Sequence, residues 1–319
     1  MSLYLLPDAS AHLPAEALEA FEQAIARWDG CSGNRRLWKR DASLWTGGEE
    51  GRWLGWLEPE AVSSLDELES FAAEVRQSQI RWVVLLGMGG SSLGAGVLAK
   101  ACAKPGGPAL LVLDSTDPDE IRSVEARIEV ERTLFIVASK SGTTVETVAL
   151  EAYFFDVLSQ CLVSPDDAAS HLVAISDPST PLHARAGERG YRTFTGAEDV
   201  GGRFSVLTPF GLVPAAAVGC DCRSLLASVR AFRHQCGAHR SAAESPGVAL
   251  GLLLGTLAHR GRDKLTLLLP DHLEVLGSWL EQLIAESTGK GGKGIMPVVG
   301  EPPREPSSYA DDRVLVWKP

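Results

Sequence analysis

The stretch Val83–Gly96, VVLLGMGGSSLGAG, joins an unbroken apolar run to a loop of glycines and serines and then to a helix-like segment. Continuous rather than alternating apolar residues describe a strand buried on both faces, the condition of a strand inside a parallel sheet. A loop almost without side chains at the carboxyl end of such a strand lets backbone N–H groups and a helix N-terminus approach an anion. Three ligands suit such a loop: a nucleoside triphosphate, a dinucleotide or a phosphorylated small molecule. The first needs Gly-Lys-Ser/Thr at the loop's end, and here Gly94 is followed by Ala95 and Gly96. The dinucleotide fingerprint G-x-G-x-x-G is met at Gly87 and Gly89 but has Ser92 in its third position, although Asp114 stands near the place of an acidic ribose partner.

Outward from this loop the chain alternates strand-like and helical segments. Further apolar runs fall at ALLVLD (Ala109–Asp114), TLFIVAS (Thr133–Ser139), HLVAIS (His171–Ser176) and YRTFTG (Tyr191–Gly196), with spacers mostly long enough for crossover helices. This predicts an α/β fold built on a doubly wound parallel sheet. Upstream, Leu18, Phe21, Ile25 and Trp28 recur at helical spacing. A connector carrying Trp38, Trp45, Trp53 and Trp56 follows, read as aromatic glue for an N-terminal arm rather than a sugar-stacking platform. Downstream, SLLASVRAFRHQC, GVALGLLLGTLAHRG and DHLEVLGSWLEQLIAES read as helices, and KLTLLLP and RVLVWKP as strands. The expected organisation is an arm and connector at 1–60, a first α/β domain at 61–200, and an interdomain loop with a second, incomplete α/β unit at 201–319.

Composition narrows the function. The net charge of −11 argues against nucleic acid as a main partner, since neutralising a phosphate backbone needs a basic face. It does not argue against one small anion held by local dipoles. No apolar run approaches the ~20 residues of a membrane span, and MSLYLLPDAS lacks the basic start and apolar core of a signal peptide. A cytoplasmic protein is expected. The six cysteines form no CxxC pair; Cys220 and Cys222 are the closest, and all read as reduced thiols.

Three further segments carry candidate chemistry. SKSGTTVET (Ser139–Thr147) follows the third strand and opens a helix, with hydroxyls at Ser139, Ser141, Thr143 and Thr144 beside Lys140. A capping box between Thr143 and Glu146 would account for one hydroxyl and leave three, which suit the oxygens of a phosphate monoester. If the first and third strands are neighbours at the sheet's switch point, both loops face one crevice. A dehydrogenase has no evident use for such a second loop, so the monoester is preferred to a dinucleotide. Arg203, in GGRFS (Gly201–Ser205), is a surface charge or a guanidinium placed for an anionic oxygen. In EQLIAESTGKGGKG (Glu281–Gly294), Gln282 and Glu286 share a helix face beside a stripe of Leu273, Leu276, Leu280, Leu283 and Ile284 expected to be buried, with Gly289 as the C-cap. Glu286 is a general-base candidate or a solvated helix-end carboxylate beside Lys290.

GMGGSSLG, SKSGTT, GGRFS with VLTPFGL, and ESTGKGGKG occur in that order and together resemble the phosphoglucose isomerase family, built from two sugar-isomerase (SIS) domains. The upstream SLW and RWLGWL are most similar to the isomerase half of bacterial transaldolase/glucose-6-phosphate isomerase fusions. The resemblance spans about Leu37 to Lys318. It implies that Gly90, Ser91, Ser139, Ser141 and Thr144 bind a substrate phosphate, with Lys140 and Thr143 at its border. It further implies that Arg203 stabilises a cis-enediol(ate), that Gln282 positions the sugar and that Glu286 moves a proton between C1 and C2. The implied reaction interconverts glucose 6-phosphate and fructose 6-phosphate with no cofactor and no metal, in an enzyme that is usually a homodimer. Family members carry a later His, Gln and Lys; here the last histidine is His272 and the only lysine beyond the motif is Lys318. The expectation is a truncated chain that retains phosphate recognition and the base and lacks the ring-opening groups. The alternatives are a non-catalytic SIS module that senses sugar phosphates and, more remotely, an NAD oxidoreductase.

Overall fold

The structure, a computed structural model, describes residues 13–59 and 64–317. They group into two compact units that interleave along the chain. Of the described residues, one unit takes those within Glu58–Leu225 and Asp271–Gln282, the other those within Met1–Leu57, Leu226–Pro270 and Leu283–Pro319.

The first unit holds five strands, β1 (Trp82–Gly87), β2 (Ala109–Leu113), β3 (Thr133–Ala138), β4 (Leu172–Ser176) and β5 (Arg192–Thr195). Their order is β2-β1-β3-β4-β5, and every neighbouring pair is parallel. The apolar runs of the sequence are these strands, and the reason is burial: every residue of β3 and β4 is buried, as is every residue of β1 after Trp82. The order reverses between β1 and β3, which pair from Trp82↔Thr133 to Gly87↔Ala138. The loops leaving these two strands therefore start side by side, at the position where open α/β sheets take their ligands.

The core centres on Phe135, stacked on Phe154 with ring centroids 4.6 Å apart, among Leu86, Leu113, Leu150, Leu158 and Leu172. Helix Pro209–Ala217 has all nine residues buried, and it packs on helices Leu93–Cys102 and Leu65–Gln77. Charge is also used inside. Glu151, 1 % exposed, accepts from Arg185 Nε at 2.7 Å, Arg189 Nη1 at 2.7 Å and the Tyr191 hydroxyl at 2.9 Å. A carboxylate at that depth is tolerated only because its partners satisfy it. The cluster ties helix Val145–Cys161 to helix Pro181–Arg189, and so fixes the helix that begins at the hydroxyl-bearing loop.

In the other unit β6 (Lys264–Leu268) lies between β7 (Met296–Val298) and β8 (Arg313–Trp317), again all parallel. Strand β7 is an addition to the sequence reading. Helix Ala15–Gly30 buries Ala17 and Phe21 against Leu253 and Leu257 of helix Pro246–His259. The tryptophan connector is a chain of short 3-10 turns at Ala42–Leu44, Glu49–Trp53 and Gly55–Leu57. Trp38 acts as glue: its indole N–H donates to the Cys236 carbonyl at 2.9 Å, and the Arg233 guanidinium sits 5.1 Å from its ring centre. Trp45 and Trp53 stay 46 % and 38 % exposed, so the aromatic-glue reading holds for part of the connector.

All six cysteines are free thiols, as the spacing predicts. Burial pushes Cys220 up to about 12 and Cys222 up to about 11, whereas Cys31 and Cys161 are exposed. Because the thiolate is the nucleophile, a thiol reagent at pH 8 will label Cys31 and Cys161 in the native chain and reach Cys220 and Cys222 only after denaturation. Mass spectrometry after a timed pulse reads this directly, and early labelling of Cys220 contradicts the packing described. Among the described residues no helix is long and apolar enough to cross a membrane, and no group of His, Cys, Asp or Glu is placed to hold a metal ion.

Candidate functional site

The loop after β1 forms a single 3-10 turn, Gly89–Ser91, before helix Leu93–Cys102. Gly89 has φ +52°, and the Gln282 amide nitrogen lies 3.0 Å from where its Cβ would be. Gly90 meets a second loop. A Cβ there would come 2.4 Å from the carbonyl carbon of Gly202 and 2.8 Å from the Arg203 nitrogen. The two backbones thus touch through the missing side chain, and the Ser205 hydroxyl donates across the contact to the Gly90 carbonyl at 3.0 Å. Arg203 therefore stands on the 3-10 segment Gly202–Leu207, laid against the glycine loop in the five-stranded unit. Its guanidinium is 4.9 Å from the Phe204 ring centre, and its carbonyl accepts from the Trp279 indole at 3.1 Å.

The loop after β3 begins at Ser139, 2 % exposed, whose N–H donates to the Ile175 carbonyl of β4 at 3.0 Å. A turn closed by the Gly142 N–H on the Ser139 carbonyl follows at 3.2 Å. Gly142 has φ +67°, and a Cβ would meet the Leu182 nitrogen and Thr180 Cβ at 2.8 Å, so both conformation and space require glycine. The hydroxyls then pair among themselves: Ser139 with Thr144 at 3.0 Å, and Ser141 with Thr143 at 2.9 Å.

The capping box expected at Thr143 and Glu146 does not form. Helix Val145–Cys161 starts after Thr144, which is its N-cap and makes no side-chain cap bond. Thr143 is instead held in the preceding turn, its N–H donating to the Ser141 hydroxyl at 3.3 Å. The first N–H groups of a 17-residue helix and four hydroxyls thus collect in one loop. In each pair one hydroxyl gives its single proton to the other, so one O–H per pair remains as a donor while the oxygens keep acceptor capacity, and the helix end favours negative charge.

Lys140 is otherwise engaged. Its ammonium makes a close ion pair with Asp177 and donates to the Ala197 carbonyl at 2.7 Å. The sequence offered no sign of this pairing, since 37 residues separate the partners.

Helix Glu274–Thr288 carries Gln282 and, one turn on, Glu286. Gly90, Ser91, Ser139, Lys140, Ser141, Thr143, Thr144, Arg203 and Gln282 all fall within the five-stranded unit; Glu286 belongs to the other, where its side chain is exposed. The Lys290 ammonium donates to the Glu286 main-chain carbonyl at 2.9 Å. Gly289 follows the helix as expected, its N–H on the Ala285 carbonyl at 2.8 Å. The leucine stripe expected to be buried is only half-buried, and Gly277 is the helix's buried residue.

The parallel sheet and the two loops that leave it at the switch point define an α/β protein of the sugar-isomerase fold. The Phosphoglucose isomerase profile matches residues 59–294, and the chain belongs to that family. It is 35 % identical over 265 residues to a glucose-6-phosphate isomerase of Carboxydothermus hydrogenoformans, covering 78 % of this chain and 56 % of that protein. Among solved structures, a hypothetical protein of Thermus thermophilus superimposes with a TM-score of 0.76 at 32 % identity, covering 91 % of this chain and 69 % of the other. A glucose-6-phosphate isomerase of Chlamydia trachomatis gives 0.61 at 26 % identity, covering 84 % and 53 %. The chain spans a little over half the length of the curated relatives it matches.

Proposed function

We propose that this chain carries the phosphosugar cradle and the proton-transfer carboxylate of an aldose–ketose isomerase that interconverts glucose 6-phosphate and fructose 6-phosphate. The observation that carries the reading is the loop after β3, where Ser139, Ser141, Thr143 and Thr144 gather at a helix start whose N-cap, Thr144, makes no side-chain cap bond. A phosphate dianion suits that loop: hydroxyls and N–H groups supply donors in numbers matching its oxygens. Gly90 and Ser91 supply the facing backbone at the adjacent strand end. Arg203 stands on the segment that touches Gly90 and is the cation for the oxyanion, while Gln282, beside Gly89, orients the sugar. Glu286 takes the proton from C2 and returns it to C1 through a cis-enediol(ate). This needs one carboxylate base and one cation for the developing charge.

Replacing Ser139 by Asp tests the cradle. A carboxylate on a residue 2 % exposed, among donors meant for an anion, repels a phosphate rather than binding it. Calorimetric titration with fructose 6-phosphate should show an affinity loss of about 10²-fold or more, the scale of a few kcal/mol for an unfavourable charge pair. Full affinity in S139D removes the cradle from the proposal. Exchange of solvent deuterium into C1 or C2 of the bound sugar separates the isomerase from a non-catalytic sensor, which would bind without exchange.

A further inference from the structure

We infer that Asp177 is a positioning residue for the phosphate loop, and that it holds the Lys140 side chain as a strut in the loop's wall rather than leaving it as a ligand of the phosphate. The inference rests on the cradle reading above and assigns it a residue that lies outside every motif singled out in the sequence.

The loop after β3 has little to stiffen it from within: a tight turn and hydroxyl pairs. Its rigidity comes from the ends of the next two strands. The Lys140 ammonium reaches across β4 to the Asp177 carboxylate and to the Ala197 carbonyl beyond β5. The backbone closes the same link, with the Asp177 N–H on the Lys140 carbonyl at 3.2 Å. Asp177 is itself clamped, because the Gly196 N–H donates to the Ser176 carbonyl at 2.7 Å and the Thr180 hydroxyl to the Asp177 carbonyl at 3.0 Å. Thr180 is also the residue against which Gly142 packs. One side chain thus pins the loop to two neighbouring segments.

The pair is not a surface ornament. The Lys140 and Asp177 side chains are 23 % and 15 % exposed, and the Asp177 Oδ1 atom is buried without a hydrogen-bond partner. Burial pushes the Asp177 carboxyl above its usual range, with the Lys140 ammonium pulling the other way and the Glu198 charge adding to the rise. An ammonium satisfied by a carboxylate and a carbonyl has two of its three donors committed. Its charge is cancelled beside the loop, so the loop's neutral donors and the helix start are what remain to meet a dianion.

The test is a double-mutant cycle on the whole chain with inorganic phosphate and fructose 6-phosphate as probes, read by calorimetry. Wild type, K140M, D177N and K140M/D177N are compared, with K140R as the conservative replacement. For a strut, K140M and D177N each weaken phosphate binding about tenfold, the double variant is no worse than either, and K140R restores most of the affinity. Where turnover is measured, KM rises while kcat changes little. For a phosphate ligand the sign at Asp177 reverses: D177N frees the ammonium and keeps or tightens binding while K140M weakens it, and that result overturns the inference. D177N is nearly isosteric and keeps an acceptor toward Lys140. Should it unfold, K140M and K140R still decide, because K140M binding phosphate as tightly as wild type also overturns the strut. If the wild-type chain binds no phosphate, the cradle reading fails first and this inference falls with it.

Discussion

Under the proposed mechanism, Glu286→Gln will lower interconversion of glucose 6-phosphate and fructose 6-phosphate by about 10²- to 10⁴-fold, the range that a positioned general base contributes, and will leave phosphosugar affinity almost unchanged. The amide matches the carboxylate in shape and keeps a hydrogen-bonding oxygen, but it cannot take up the C2 proton at neutral pH. Affinity is expected to persist because the proposed phosphate donors, Ser139, Ser141, Thr144 and the Gly90–Ser91 backbone, belong to strand-end loops of the five-stranded unit and Glu286 does not. The effect therefore appears in kcat and in solvent-deuterium exchange at C1 and C2, not in binding. Exchange and turnover are read by proton NMR in D₂O, binding by calorimetry. Turnover within tenfold of wild type in E286Q assigns the base to another group. Loss of binding in step with turnover makes Glu286 a ligand of the sugar rather than its base.

The two halves of that expectation were not equally readable from the residues. The strands of the five-stranded sheet are continuous apolar runs because both of their faces are buried, and burial of that kind leaves a plain signature. The side-by-side start of the loops after β1 and β3 also follows from a general property of doubly wound sheets. What failed was local chemistry with more than one solution. Thr143 and Glu146 fit the capping-box spacing, yet the Ser141 hydroxyl takes the Thr143 N–H and the helix begins a residue later. Strand β7 is three residues long with Pro297 at its centre, so it lacks both alternation and length; it forms at the edge of its sheet, where a residue without an N–H is tolerated. The Lys140–Asp177 pair was invisible for another reason. Its partners meet only because β3 and β4 are neighbours, and no spacing along the chain encodes that.

Gly90→Ala will destabilise the chain and cripple the proposed site together, although it adds one methyl group to a half-buried loop. The added carbon would lie 2.4 Å from the carbonyl carbon of Gly202, 2.5 Å from its oxygen and 2.8 Å from the Arg203 nitrogen. All three are main-chain atoms, so no rotamer change relieves the clash, and the two loops must separate by about 1 Å to reach ordinary contact distance. Overpacking of this kind costs about 1–3 kcal/mol. The functional cost is larger, because separation moves the segment bearing Arg203 away from the glycine loop and breaks the Ser205 hydroxyl's bond to the Gly90 carbonyl. A misplacement of about 1 Å in a positioned group can lower turnover about 10²-fold. Gly202→Ala is the matched control: its Cβ would meet nothing within 4 Å, and its φ is not positive. That variant should unfold close to the wild-type temperature and keep its turnover. Thermal unfolding and isomerisation measured on the pair decide the matter: equal behaviour of G90A and G202A would show that the contact between these two backbones does not organise the site.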